Sequence, residues 1–191
     1  MSGRKNVDLA RVLEVSVALA NEHGFESVTL ASVAEQLGIR IPSLYNHVSG
    51  LPGLRSEMAL WGLRQLIEQI RRAAVGKAGD DAIMSLAMAY RAFAHTHPGL
   101  YGATLRAPYA DEPERAAAAQ EIIDILLAVL SPYGFSEEAT LHTIRALRSL
   151  LHGFVDLETA GGFGLALDRD ESFRQLVQMF ITSLHASQTQ G

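Results

Sequence analysis

Residues 29–48, Thr-Leu-Ala-Ser-Val-Ala-Glu-Gln-Leu-Gly-Ile-Arg-Ile-Pro-Ser-Leu-Tyr-Asn-His-Val, constrain the fold more than any other stretch. Leu30, Val33, Ala34 and Leu37 recur at i, i+3, i+4 and i+7, which puts them on one face of a helix. Thr29 precedes that pattern and offers a hydroxyl to the free amides of the first turn. Gly38 follows it, where the chain needs a left-handed residue to stop the helix. A second short helix can begin near Arg40 and run over 40–48. Pro42 lies in its first turn, where a missing N–H does little harm. Leu44 and Val48 turn inward, leaving Arg40, Ser43, Asn46 and His47 outside. Helices this short do not stand alone in water and must pack on others. A short polar-faced helix braced across a tight turn has the build of a recognition helix for a DNA major groove.

The charge balance must be weighed against that reading. The net charge of the 191 residues is −5. Residues 1–60 carry five Lys/Arg and six Asp/Glu, and the remainder carries eleven against fifteen. Any footprint for phosphates is therefore local: Arg4 and Lys5 on an N-terminal arm, then Arg11, Arg40 and Arg55. At 48% apolar residues the chain is expected to fold, and no apolar run of the ~18–20 residues of a membrane span is expected. The N-terminus lacks the apolar core of a signal peptide. No cysteine is present, which excludes disulfides and thiolate metal sites and fits a cytoplasmic protein.

The rest of the chain reads as helices separated by turn residues. A first helix spans 7–23 and ends at Gly24, and Phe25 plugs the junction that follows. Ser49-Gly50-Leu51-Pro52-Gly53 is a break before a long helix to about Ala74. Further helices follow Asp80, Leu100, Pro113, Ser136 and Asp168. With no strand pattern competing, the fold class is all-α, with about nine helices. The seam at 49–53 predicts a three-helix N-terminal domain over 1–50 and a larger helical domain over 51–191.

Val12-Leu13, Leu19, Gly24-Phe25, Thr29-Leu30, Val33-Ala34, Leu37-Gly38-Ile39 and Pro42-Ser43-Leu44-Tyr45-Asn46-His47-Val48 together resemble the DNA-binding domain of the TetR family of bacterial transcription regulators. Leu151-His152-Gly153-Phe154 through Glu158, followed by Gly161-Gly162-Phe163-Gly164, looks like the C-terminal type named for a Trp-His-Gly motif, with Leu151 in place of tryptophan. The resemblance implies a homodimer built on two C-terminal helices, a small-molecule effector pocket in the larger domain, and a double-stranded DNA operator released when the effector binds. By position, Thr29, Tyr45 and His47 would hold phosphates. Pro42 and Ser43 would lie at the groove surface, and Asn46 would reach a base edge such as adenine. Arg40 would hold a phosphate or read a base. Ile41 and Ala31 stand where family members often carry polar base readers, so thymine methyls are their natural partners. Ser49-Gly50-Leu51 stands where a phosphate-gripping lysine is frequent in the family.

In the larger domain, Trp61, Tyr90, Phe93, Tyr101 and Tyr109 are the aromatics available to line a pocket, the first four being the candidate effector site. Leu147, Leu151, Phe154, Val155, Phe173, Val177 and Phe180 exceed what one helical layer needs, and predict the dimer interface. His95, His97, His142 and His152 lack the spacing of a metal site. No nucleophile elbow, phosphate loop or zinc-protease motif occurs, so neither an enzyme nor a cofactor is predicted. The competing class is a helical dimer that binds a small molecule or protein and has lost its DNA-binding head.

Overall fold

The computed structural model describes residues 7–188. Arg4 and Lys5, expected on an N-terminal arm, lie outside them. Among the described residues there are nine α-helices and no strand, as predicted. They are α1 (Leu9–His23), α2 (Leu30–Leu37), α3 (Ile41–Leu44), α4 (Gly50–Ala74), α5 (Gly79–Thr96), α6 (Pro98–Thr104), α7 (Pro113–Leu130), α8 (Glu137–Thr159) and α9 (Arg169–Gln188). The chain forms two compact units, one of residues up to 65 with 96–119 and one of 66–95 with residues from 120 onward. The first unit therefore includes more than the stretch 1–50, because α6 and the start of α7 join the three N-terminal helices.

In the first unit, α1 is capped by Asp8, whose carboxylate accepts the Arg11 N–H at 2.8 Å. α1 packs on α2 and α6. The contact with α6 depends on Gly99. A Cβ there would fall 2.6 Å from the Ala20 backbone, so only glycine allows this approach. Its N–H donates to Asn21 Oδ1 at 2.9 Å. Val12, Val33, Leu44, Leu54, Met58 and Leu100 are fully buried in this unit. Burying one such side chain is worth about 1.5–3 kcal/mol. The break predicted at 49–53 is instead the first turn of α4. Pro52 is tolerated there because first-turn amides have no intrahelical acceptor.

The second unit is built on the later part of α4, α5, the later part of α7, α8 and α9. Ile83, Phe93, Leu130, Leu151, Phe173 and Ile181 are among its fully buried residues. Near the start of α5, Tyr133 Oη donates to Asp80 Oδ1 at 2.5 Å, and His185 Nε2 lies 2.9 Å from the same oxygen. These two bonds hold the Asp80 carboxyl below its ordinary range, the tyrosine contributing most. Near the end of α5, buried Arg91 pairs with buried Glu158 through two hydrogen bonds of 2.8 and 2.6 Å. Arg91 also meets Asp170 at 2.9 Å and lies over the rings of Phe154 and Phe173.

Leu147, Leu151, Phe154, Val155, Phe173, Val177 and Phe180 are all 9% exposed or less within a single chain. They form this unit's own core and have almost no surface left to give to a partner copy. Large apolar residues left outside include Leu141 and Leu157 on α8, Met179 on α9, and Phe163, Leu165 and Leu167 between the two helices. Residues 113–133 are also long and apolar enough, by length and composition, to cross a membrane. Runs of small alanines conceal that hydropathy. Glu121 and Asp124 interrupt the stretch, and Leu126, Val129 and Leu130 are buried in the protein.

Candidate nucleic-acid interface

The helix pair at 30–44 is set by local bonding. Thr29 Oγ1 accepts the Ser32 N–H at 3.1 Å, and Ser32 Oγ accepts the Thr29 N–H at 3.1 Å. This reciprocal cap satisfies two otherwise unpaired donors at the start of α2. At the other end Gly38 is left-handed, with φ 68° and ψ 31°. Its N–H donates to Glu35 O, and the Ile39 N–H donates to Ala34 O at 3.0 Å. This closes the helix and turns the chain into α3.

α3 is shorter than the helix expected over 40–48. Only Ile41–Leu44 are helical, and residues 45–47 continue as a turn. The His47 and Val48 N–H groups both donate to Leu44 O, at 2.8 and 3.0 Å. Fully buried Leu44 and buried Val48 pin the two ends of this segment to the core.

Pinning Leu44 and Val48 inward presents the intervening and preceding residues outward. Arg40, Ile41, Pro42, Ser43, Tyr45 and Asn46 are exposed, and His47 is half-buried. Ile41 is 40% exposed and Tyr45 is 59% exposed. Separated by four residues, they form an apolar ridge one helical turn long. Thr29 is also exposed, though its hydroxyl is engaged with Ser32. Arg40 makes no ion pair or side-chain hydrogen bond among the described residues.

Two of the other predicted cations are committed elsewhere. Arg11 pairs with Glu14 at 2.9 Å. Arg55 meets the Glu26 carboxylate at 3.0 Å, donates to its carbonyl at 2.9 Å, and lies over the Phe25 ring. A signal overlooked by whole-segment charge counting compensates in part: from Gln36 to Ser56 the chain has no Asp or Glu. The face is thus locally free of the carboxylates that would repel phosphates, although the chain is acidic overall.

The predicted pocket aromatics divide between the units. Half-buried Trp61 and buried Tyr101 belong to the first unit, and half-buried Tyr90 and fully buried Phe93 belong to the second. A cavity of about 540 Å³ lies within the first unit and is lined by none of the four.

A capped helix, a left-handed glycine turn and a short exposed helix, braced by α1, define a helix–turn–helix protein. Residues 12–49 match the family described as bacterial regulatory proteins, tetR family, and residues 83–180 match the tetracyclin repressor-like C-terminal domain. The chain is 36% identical over 181 residues to an uncharacterized HTH-type transcriptional regulator of Mycobacterium tuberculosis, Rv0681, covering 94% of this chain and 83% of that one. It is 34% identical over 185 residues to YobS of Bacillus subtilis, described in the same words, covering 96% of each. A TetR variant from Acinetobacter baumannii in complex with minocycline has the same fold, with a TM-score of 0.71 at 19% identity, covering 96% of this chain and 99% of that one. The chain belongs to the TetR family and is a transcriptional regulator with a DNA-binding helix–turn–helix.

Proposed function

We propose that this protein is a ligand-responsive homodimeric repressor that holds a palindromic double-stranded operator and leaves it when a small-molecule effector binds. The observation that carries the DNA-binding part is the outward face of α3 and the turn after it, where Ile41, Pro42 and Tyr45 stand exposed beside Arg40, which has no ion pair among the described residues. In this reading residues 1–50 engage DNA, while residues 51–191 carry the effector and the partner copy. Thr29, Tyr45 and His47 hold phosphates, and Arg40 grips a phosphate or a base edge. Pro42 and Ser43 line the groove, Asn46 meets an adenine edge, and Ile41 packs on a thymine methyl. Two-fold symmetry then places two half-sites about one helical turn, ~34 Å, or a multiple of it apart. The exposed Leu141, Leu157 and Met179 support a partner surface on α8 and α9. The minocycline complex of a protein sharing this fold supports an effector in the body, with Trp61, Tyr90, Phe93 and Tyr101 as candidates to respond to it. The likeness of Leu151–Glu158 to the Trp-His-Gly type belongs to the same reading, as does a cytoplasmic location beside the chromosome.

The test is a gel shift and salt titration on DNA flanking the protein's own gene. Tyr45→Ala and His47→Ala should weaken binding to every sequence, and Arg40→Ala should lower the salt slope by about 0.9 for the phosphate it neutralises. Ile41→Ser should change which half-site is preferred. If Tyr45→Ala and His47→Ala both leave affinity intact, the docking is wrong. The commitment of Arg11 and Arg55 to carboxylates favours a second reading, a ligand-binding dimer without DNA affinity. A folded dimer that shifts no DNA at low salt would select it.

A further inference from the structure

The 540 Å³ cavity of the first unit has the size of a small-molecule site and a wall of mixed character. One side is apolar, formed by Phe25, Leu51, Pro52, Ala59 and Ala103. Arg55, Arg106 and Arg115 also line the cavity. Arg115 is 5% exposed, and its Nε has no hydrogen-bond partner. Arg55 Nε is likewise buried and unpaired. A buried donor without a protein acceptor among the described residues is uncommon and can donate to a group that enters the cavity. Arg106 is largely exposed and reaches Glu26 only at 3.3 Å.

Each of the three arginines meets a carboxylate, Arg55 and Arg106 that of Glu26 and Arg115 that of Glu112. Glu112 is already engaged. It accepts from Ser56 Oγ at 2.5 Å, from Arg115 Nη1 at 2.5 Å and from the Tyr109 N–H at 2.8 Å. Although burial raises it, the bonds from Arg115, Ser56 and the Tyr109 amide bring its carboxyl down to about 2, so it stays ionised and acts only as an acceptor. Asp111 is exposed at the rim. The cavity wall also includes Leu51, Pro52 and Gly53 from the start of α4, a 25-residue helix with no acidic residue in its first turn. Its positive dipole end is left without an acidic partner. The three arginines are balanced by Glu26, Asp111 and Glu112, so a bound carboxylate must take the place of one of these acids, and exposed Glu26, unlike Glu112, is not fixed by Arg115.

We infer that this cavity binds a small organic acid, its carboxylate held by Arg106, Arg115 and the start of α4 and its apolar body lying against Phe25, Leu51 and Ala59. None of Trp61, Tyr90, Phe93 and Tyr101 lines this site, and its occupancy does not depend on DNA binding. Glu26, which is outside the wall, is the acid that an incoming carboxylate would replace at Arg106.

The experiment is a titration of the full-length protein with salicylate and with octanoate, followed by amide chemical shifts, with salicylamide and octanamide as uncharged controls. At least one of the two acids should shift the amides of residues 51–59 and 106–112, and its amide counterpart should not. Arg106→Ala removes an exposed side chain and should weaken the acid about tenfold, the effect of removing one charge-assisted bond. Arg115→Gln should weaken it as much, provided the spectrum shows an intact fold. Absence of shifts there with either acid at millimolar concentration would overturn the inference. So would equal binding of acid and amide, or affinity unchanged in Arg106→Ala.

Discussion

Replacing Glu158 by glutamine removes one charge from a buried cluster while keeping its shape. The Glu158 side chain is 6% exposed and receives two hydrogen bonds from Arg91, at 2.8 and 2.6 Å, with His95 Nε2 at 2.8 Å. The Arg91 bonds are the main cause that brings the Glu158 carboxyl down to about 2, from an ordinary 4.5. A carboxylate whose pKa is depressed on folding stabilises the fold above its unfolded pKa, and that stability is lost as pH falls through the folded pKa. The gap between 4.5 and about 2 corresponds to about 3 kcal/mol. Glu158→Gln should therefore lose about 3 kcal/mol at neutral pH, in the range expected when one partner of a buried pair is removed. The deficit should shrink below about pH 4.5 and be nearly gone by pH 2, where the unfolded carboxyl is protonated and folded wild-type Glu158 is itself taking up its proton. The Arg91 interactions with Phe154, Phe173 and Asp170 remain in both proteins and cancel. Urea unfolding at one protein concentration across that pH range measures the difference. Glu68→Gln is the control. Its partner Arg72 is exposed, so it should cost no more than about 1 kcal/mol. A deficit for Glu158→Gln that stays constant with pH, or that is no larger than the control, would refute the reasoning.

Thr29→Ala removes the cap of an eight-residue helix and should cost about 1 kcal/mol in thermal or urea unfolding, with Thr29→Asn recovering most of it. Gly99→Ala places a methyl group 2.6 Å from the Ala20 backbone and should cost about 1–3 kcal/mol by overpacking, read from the urea midpoint. Leu157→Ser combined with Met179→Ser should convert a dimer to a folded monomer in sedimentation, because both residues are exposed in the single chain. Leu151→Ser should unfold the second unit instead, since that side chain is 2% exposed.

Much of the helix–turn–helix is legible in the sequence because its determinants are local. The Thr29 cap, the 3.6-residue period from Leu30 to Leu37 and the left-handed Gly38 act within a few residues of one another. The same holds for Ser136 and Asp168, whose side chains accept amides at the starts of α8 and α9. The start of α4 is not legible in this way, because Gly50 and Pro52 break a helix interior but are permitted in a first turn. α3 is shorter than its sequence pattern implies, since its last turn is set by Leu44 and Val48 anchoring to the core and not by propensity.

What each outward or inward residue does is decided by partners distant in sequence. Arg55 reads as available for phosphate until the fold pairs it with Glu26, 29 residues away. Arg91 and Glu158, 67 residues apart, give no sign of each other in the sequence. The surplus of apolar residues on α8 and α9 is visible there, but only the packed structure shows that Phe154, Phe173 and their neighbours fill the unit's own interior and leave Leu157 and Met179 outside. By itself the sequence determined the helices, their caps and the glycine turn, because hydrogen bonding and side-chain period operate over three or four residues. The tertiary structure alone decided which charges are neutralised, which apolar faces remain and where a cavity opens, because burial and Coulomb pairing depend on distance in space and not on separation along the chain.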